Sequence, residues 1–162
     1  FRIKGDLGNL ICRSDSYSGF HVAIGDNNTR LNVLGKLIGL NLSCPNIIAT
    51  SSVVSSTAIL GSGISIMPNV VVNAKTIVGD GVILNTSCSV DHDCKICPGA
   101  HVSPGAHLAG NVKIGVCSWV GIGSAIIPGK IIGNHSIIGA GSVVIRDIPD
   151  NVTAVGVTDK II

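Results

Sequence analysis

A six-residue period runs through most of this chain. Written in sixes from Val53, sixteen consecutive hexads reach Ile148, opening VVSSTA, ILGSGI, SIMPNV and ending VVIRDI. The second place of every hexad, from Val54 and Leu60 through Ile138 and Val144, is Val, Ile or Leu. Neither a helical period of 3.6 nor simple alternation produces a repeat of six. The sixth place is mostly small, as at Ala58, Cys88, Ala100 and Ser118. The fifth is mostly Gly, Asn or Asp, as at Gly63, Asn69, Asp93 and Gly123. Those types tolerate positive φ, so the fifth place is expected at a corner. A short strand and a corner every six residues, with one large aliphatic pointing inward, describes a mainly β chain wound as a parallel β-helix. Three hexads close one triangular coil of about 18 residues, so the run predicts about five coils. No hexad is interrupted, and no long loop is expected to leave the coils.

Composition agrees with a narrow solenoid. Hydrophobic residues make up 46% but aromatics only 2%, so Ile, Val and small residues must fill the core. Lysine and arginine are scattered and the formal net charge is +2, which argues against the basic stripe of a nucleic-acid face. No uninterrupted apolar run reaches the length of a membrane span, and no secretory leader is visible. The chain begins at Phe1, so upstream sequence is expected to be missing. Cys12, Cys44, Cys88, Cys94, Cys97 and Cys117 read as reduced thiols of a cytoplasmic protein. Cys94 and Cys97 form a CxxC without a second ligand pair, so no metal is expected there.

First-place residues should point outward and stack on those 18 positions away. One row carries Val53, Val71, Ser89, His107, Ala125 and Val143; a second carries Ile59, Ile77, Lys95, Lys113 and Ile131. The third carries Ser65, Ile83, His101, Trp119 and Ile137. These rows are too apolar for bare solvent. They predict self-association, most simply a homotrimer of prisms side by side. Residues 1–46 fall outside the register. GFHVAIGDNNTRLNVLGKL (19–37) reads as a buried strand from His21 to Ile24, a turn over Gly25 to Asn28, and a helix through Arg30, Leu31, Leu34 and Leu37. One βα unit is too little for a doubly wound sheet, so this segment is expected to be the tail end of a small α/β domain whose beginning lies outside the sequence. The expected division is 1–46 partial α/β, 47–157 β-helix and 158–162 C-terminal tail.

The chemistry concentrates in SVDHDC (89–94). His92 takes a fourth place and Asp93 a fifth, both at a corner, so His92 should project outward. An exposed imidazole beside a carboxylate suits a general base, because the carboxylate orients the ring and stabilises the imidazolium. Asp93 or Asp91 could serve. The plainer alternative is a solvated corner histidine, as expected of His135. Cys94 is a conceivable acyl-enzyme nucleophile, but its sixth place points it inward. His101 and His107 invite a metal reading. The γ-class carbonic anhydrases share this kind of helix but pair their ligands as His-x4-His, and here five residues intervene.

GVILNTSCSVDHDCKICPGAHVSPGAHLAGNVKIG (81–115) and GIGSAIIPGKIIGNHSIIGAGSVVIRDIPDN (121–151) resemble the hexapeptide-repeat sugar acetyltransferases. That family includes the sialic acid O-acetyltransferases and the UDP-4-amino-sugar N-acetyltransferases of the bacillosamine pathway. The resemblance covers roughly residues 19–157. It implies a left-handed coil and acetyl-CoA as co-substrate, whose pantetheine arm is expected to approach the backbone at glycine-rich corners such as Gly105, Gly110 and Gly123. It implies that His92 is the catalytic base with Asp93 beside it, that His101 lies at the acetyl-CoA site, and that Asn85 lies near the active site. Asp91, the first acidic residue of the motif, is expected at the substrate. The absent α/β portion would bind the nucleotide part of the sugar. The family tends to end in VGxPAK near the coenzyme. Here the segment reads VGVTDK, with Thr158 and Asp159 replacing Pro and Ala while Lys160 still matches. The reaction implied is acetyl transfer to the amine of a nucleotide-linked amino sugar. The alternatives are a sialic acid-type sugar O-acetyltransferase and a non-catalytic β-helix scaffold. An ice-binding scaffold is disfavoured by the lack of a Thr-x-Thr ladder.

Overall fold

The structure, a computed structural model, describes residues 5–157 and 160–162. From Ile47 onward, two-residue strands wind into a three-sided, left-handed parallel β-helix of about six turns. The first face runs from Ile47–Ile48 to Thr153–Val155 and is closed by an antiparallel strand, Lys160–Ile161. The second runs from Val53–Val54 to Val143–Val144, and the third from Ile59–Leu60 to Ile131–Ile132. Register is the 18-residue stack throughout the hexads, with His101 between Ile83 and Trp119, and Ser89 paired with His107. The turn count exceeds the expected five because Ile47–Ile48 pairs with Ser65–Ile66 before the first clean hexad. Thr153–Val155 then adds a strand after the last one.

The second-place column is the core. Its members from Ile66 to Val144 are each exposed by 2% or less, while Val54 and Leu60 are half-buried near the N-terminal end. Each such aliphatic contributes about 1.5–3 kcal/mol by leaving water. Sixth-place hydroxyls share this interior because they are hydrogen-bonded there, most of them to a carbonyl. Thr76 Oγ1 donates to Asp91 O at 2.8 Å, and Ser136 Oγ to Pro149 O at 2.7 Å.

Every fifth place from Gly63 to Gly141 has a left-handed backbone, and this includes Lys75, Ser87, Cys117 and His135. A non-glycine residue there costs about 1–2 kcal/mol. The coil offsets that cost by tying the corner to the previous turn: Ser87 N donates to Pro68 O and Cys117 N to Pro98 O, both at 3.0 Å.

The N-terminal part holds helix α1 (Leu7–Cys12), a 3-10 turn (Ser14–Ser16) and helix α2 (Asn27–Gly39). Asp26 caps α2, its side chain accepting from Thr29 N at 2.8 Å. The buried side of α2 is Asn27, Arg30, Leu34 and Leu37, and Leu31 is half-buried. Leu34 lies on the corner at Gly63, where a Cβ would come within 2.7 Å of its methyl carbon. Arg30, only 1% exposed, pins the helix in place. Its guanidinium donates to Gly81 O and Gly99 O at 2.7 Å, to Asn27 Oδ1 at 2.8 Å, and to Ile24 O and Gly25 O at 3.0 Å.

The strand expected over His21–Ile24 does not form. A strand needs a partner, and among the described residues none pairs with this stretch. Phe20 and Val22 still pack on Leu34 and Leu37. The outward rows are exposed as expected at Val53 (63%), Ile59 (63%) and Trp119 (45%). Ser65 is the exception, covered by His21, whose Nε2 lies 2.8 Å from its Oγ. No helix among the described residues is long and apolar enough to cross a membrane.

Candidate active site

His92 sits at the corner that joins the second face to the third. Asp91 closes the turn: its Oδ1 accepts from His92 N at 2.8 Å and from Asn73 Nδ2, one coil away, at 3.0 Å. Asp93 follows with φ +58°, its N–H bonded to Ala74 O at 3.0 Å. This sharp reversal brings the Asp93 carboxylate back to the ring, with Oδ2 2.8 Å from His92 Nδ1. Nδ1 therefore carries the proton and Nε2 keeps its lone pair, facing away from the carboxylate. Both side chains are open to solvent, 59% and 51% exposed. The hydrogen bond to Asp93, and then the charge of Asp91, hold the His92 imidazole above its ordinary pKa.

Gly110, one coil on at the same corner, is the seat of the ring. A Cβ there would lie 2.7 Å from both Cε1 and Nε2 of His92. At some other corners the equivalent N–H is capped by a side chain from the next coil. Val116 N donates to Asn134 Oδ1 at 2.9 Å, and Ser62 N to Asp80 Oδ1 at 2.7 Å. The residue one coil beyond Gly110 is Pro128, which offers no side-chain acceptor. The Gly110 N–H has no acceptor among the described residues.

Asn85 and His101 form a second cluster, on the first face and the corner that follows it. Asn85 Oδ1 accepts from Thr86 N at 2.8 Å, so its amide nitrogen faces His101 Nε2, 3.1 Å away. His101 Nε2 is then the acceptor, and its ring is neutral with the proton on Nδ1. Burial, and secondly the charge of Arg30, push this imidazole down to about 4. The ring stacks on Trp119 with centroids 5.4 Å apart and planes 8° from parallel. Trp119 Nε1 donates to Ser103 Oγ at 2.6 Å. Trp119 and Ser103 were not singled out from sequence, although the 18-residue stack already placed Trp119 next to His101.

The expected site residues are thus divided. His92, Asp93, Asp91 and Gly110 meet at one corner. Asn85 and His101 meet at another. Gly123 lies on the corner between the first and second faces, with φ +64° and nothing within 4 Å of where a Cβ would stand. Lys160 is in the closing strand at the C-terminal end of the first face, opposite Val155. Thr158 and Asp159 of the VGVTDK segment lie outside the described residues. Cys94 points inward as expected, 1% exposed, its Sγ 3.2 Å from Ala109 O and its thiol pushed up by burial. Among the described residues no group of three His, Cys, Asp or Glu side chains is placed to hold a metal ion.

A carboxylate-paired imidazole with a free Nε2, beside an unused backbone N–H, is an arrangement suited to acyl transfer. Comparison with known proteins gives the same class. The chain is 42% identical to the perosamine N-acetyltransferase of Caulobacter crescentus, solved with CoA and GDP-perosamine. That match covers 97% of this chain and 76% of that one, with a TM-score of 0.93. The chain belongs to the hexapeptide-repeat sugar acetyltransferase family. It is 35% identical to the acetyltransferase domain of PglB from Neisseria gonorrhoeae in complex with acetyl coenzyme A, covering 99% of this chain and 83% of that one, with a TM-score of 0.90. Curated relatives match over short stretches. The galactoside O-acetyltransferase of Escherichia coli is 52% identical over 44 residues, 27% of this chain and 22% of that protein. The dTDP-3-amino-3,6-dideoxy-alpha-D-galactopyranose 3-N-acetyltransferase of Aneurinibacillus thermoaerophilus is 54% identical over 37 residues, 23% of this chain and 19% of that protein. The matched stretch therefore spans about a fifth of these curated relatives. No family model matches the chain.

Proposed function

We propose that this chain transfers the acetyl group of acetyl-CoA to the amine of a nucleotide-linked amino sugar, with His92 as general base. The observation that carries this reading is the His92 corner: Nδ1 held at 2.8 Å by Asp93, and Nε2 left free. The neutral amine attacks the thioester carbonyl as Nε2 takes its proton. The carbonyl oxygen becomes an oxyanion, and the Gly110 N–H is the donor placed to meet it. Collapse breaks the C–S bond, and the imidazolium returns the proton to the departing CoA sulfur. Asp93 holds the tautomer and stabilises the imidazolium. Asp91 faces the acceptor.

Asn85, His101 and the Gly123 backbone stand at or beside one other corner of the same prism, so a second copy must bring them to His92. This and the exposed apolar first places support a homotrimer, with the acetyl-CoA contacts of His101 and Gly123 made across the interface. Lys160, at the end of the first face, would contact the coenzyme's far end. The N-acetyl reading is favoured over O-acetylation because similarity to the perosamine enzyme extends along 97% of the chain. The galactoside O-acetyltransferase matches only 44 residues. Six cysteines without a disulfide among them support a cytoplasmic setting. The test is CoA thiol release from acetyl-CoA with GDP-perosamine, a UDP-4-amino sugar, sialic acid or a galactoside as acceptor. Release with an amino sugar, lost in His92→Ala, is expected. Release with only the hydroxyl acceptors would replace the N-acetyl reading, and no release with any would remove the transferase reading.

A further inference from the structure

A groove of about 420 Å³ runs along the second face beside the His92 corner. Its two ends differ in character. Ala125 and Ile127 line the C-terminal end; Asn73, Ser89, Asp91 and His107 line the other. Asp91 ties this polar end to His92 directly, through the 2.8 Å bond from His92 N. Both donors that reach Asp91 use Oδ1, and among the described residues Oδ2 accepts nothing. Asn73 thereby fixes the carboxylate while leaving one oxygen for a ligand.

Ser89 and His107 are stacked neighbours in the second face, with Oγ 2.8 Å from Nδ1. The pair has two hydrogen-bonding states. If the hydroxyl donates to Nδ1, then Nε2 carries the proton and donates to the groove. If Nδ1–H donates to Oγ, then Nε2 accepts and the hydroxyl proton is free. A sugar hydroxyl is likewise both donor and acceptor. The free Asp91 oxygen suits an amine, and the Ser89–His107 pair suits a hydroxyl next to it. Together they match a vicinal amino alcohol, whereas Ala125 and Ile127 offer a sugar no polar partner. Ser89 and His107 lie outside the hydrogen bonds that hold the His92 corner.

We propose that Ser89 and His107 form the acceptor-sugar subsite, reading the hydroxyl adjacent to the amine that is acetylated. This rests on the transferase reading above. The test is steady-state kinetics of wild type, His107→Phe and Ser89→Ala, with GDP-perosamine and acetyl-CoA varied in turn. Each variant is first checked for an unchanged thermal melt. Losing the pair's hydrogen bond to the sugar should raise the KM for the sugar about tenfold. The kcat and the KM for acetyl-CoA should stay within about threefold. A rise confined to the KM for acetyl-CoA would assign the groove to the coenzyme and overturn the proposal, as would no change in either KM. Calorimetric titration of GDP-perosamine alone separates the two levels of argument. Equal affinity in wild type and His107→Phe sinks the subsite even where turnover is observed. Weaker binding in the variant supports the subsite, even if the wild type proves unable to transfer acetyl and the transferase reading falls.

Discussion

Gly110→Ala offers a sharp test of the His92 corner, because it adds one methyl against one ring. That methyl would lie 2.7 Å from Cε1 and Nε2 and 3.3 Å from Nδ1 of His92. Ordinary contact begins near 3.4 Å, so the ring must move by roughly 1 Å, and a misplacement of that size at reacting atoms costs about 100-fold in rate. Folding should barely register the change. Gly110 is not in the left-handed region, and the displaced group is the exposed end of a side chain. The expected cost is within about 0.5 kcal/mol. Moving the ring also strains the 2.8 Å bond to Asp93, the main cause of the raised imidazole pKa. The acid limb of kcat/KM should therefore shift to lower pH. CoA thiol release across pH, with a thermal melt of the same sample, measures all three. A kcat within threefold of wild type would refute the seat, as would a rate loss that merely follows a large fall in Tm.

Three further outcomes follow from the same geometry. The base must be neutral to act, so kcat/KM should rise with pH and level off above a pKa higher than the ordinary histidine value; Asp93→Asn should move that limb down and lower the plateau by 10- to 100-fold. His101 is neutral when folded, with a pKa pushed down to about 4 against 6.5 in the unfolded chain. The unfolded state binds the extra proton between those values, so the His101 contribution to stability is complete above 6.5 and is lost as pH falls toward 4. Denaturant midpoints across that window should flatten in His101→Gln, and an unchanged slope would contradict the assignment. Arg30→Met should strand the carbonyls of Gly81 and Gly99 against α2 and cost about 3 kcal/mol or more. A midpoint equal to wild type in urea would show that α2 is held by its leucines alone.

Much of the β-helix was legible because one side-chain column, from Val54 to Val144, must be large and aliphatic for any coil to close. The outward position of His92 followed from the same count. What escaped were contacts between residues 18 positions apart at a corner. Gly110 read as a place for a coenzyme to approach the backbone, and nothing in a hexad shows that an imidazole rests on it. Lys75, Ser87, Cys117 and His135 are poor left-handed residues by propensity, and only the bond to the previous coil explains them. The sequence places Arg30 in the helix but does not show its role, since burial of an arginine depends on carbonyls more than fifty positions away. The strand expected at His21–Ile24 failed for the opposite reason: its pattern was local, but pairing needs a neighbour. Asn85 stands only seven residues from His92 in sequence, yet a hexad step carries it to a different corner.

The repeat also explains why the chemistry sits where it does. At each corner the fourth places stack into a column, and at this one the column reads Ser56, Ala74, His92, Gly110, Pro128 and Arg146. A ring needs room above and below on a 4.8 Å repeat, and His92 has Ala74 on one side and Gly110 on the other. The adjacent third-place column places Asn73 under Asp91, so the carboxylate that closes the turn is held from the coil before. Pro128 cannot cap the Gly110 N–H, and Gly110 cannot cap the His92 N–H, a task Asp91 performs instead. Small residues around one histidine therefore do three things at once: they seat the ring, leave one amide donor unused, and keep Nε2 open. Ala74→Leu tests that reading from the other side of the ring. A bulky residue there should crowd the Asp93 turn, whose N–H bonds Ala74 O at 3.0 Å. A kcat unaffected by this change would mean that the column's small residues serve the coil rather than the base.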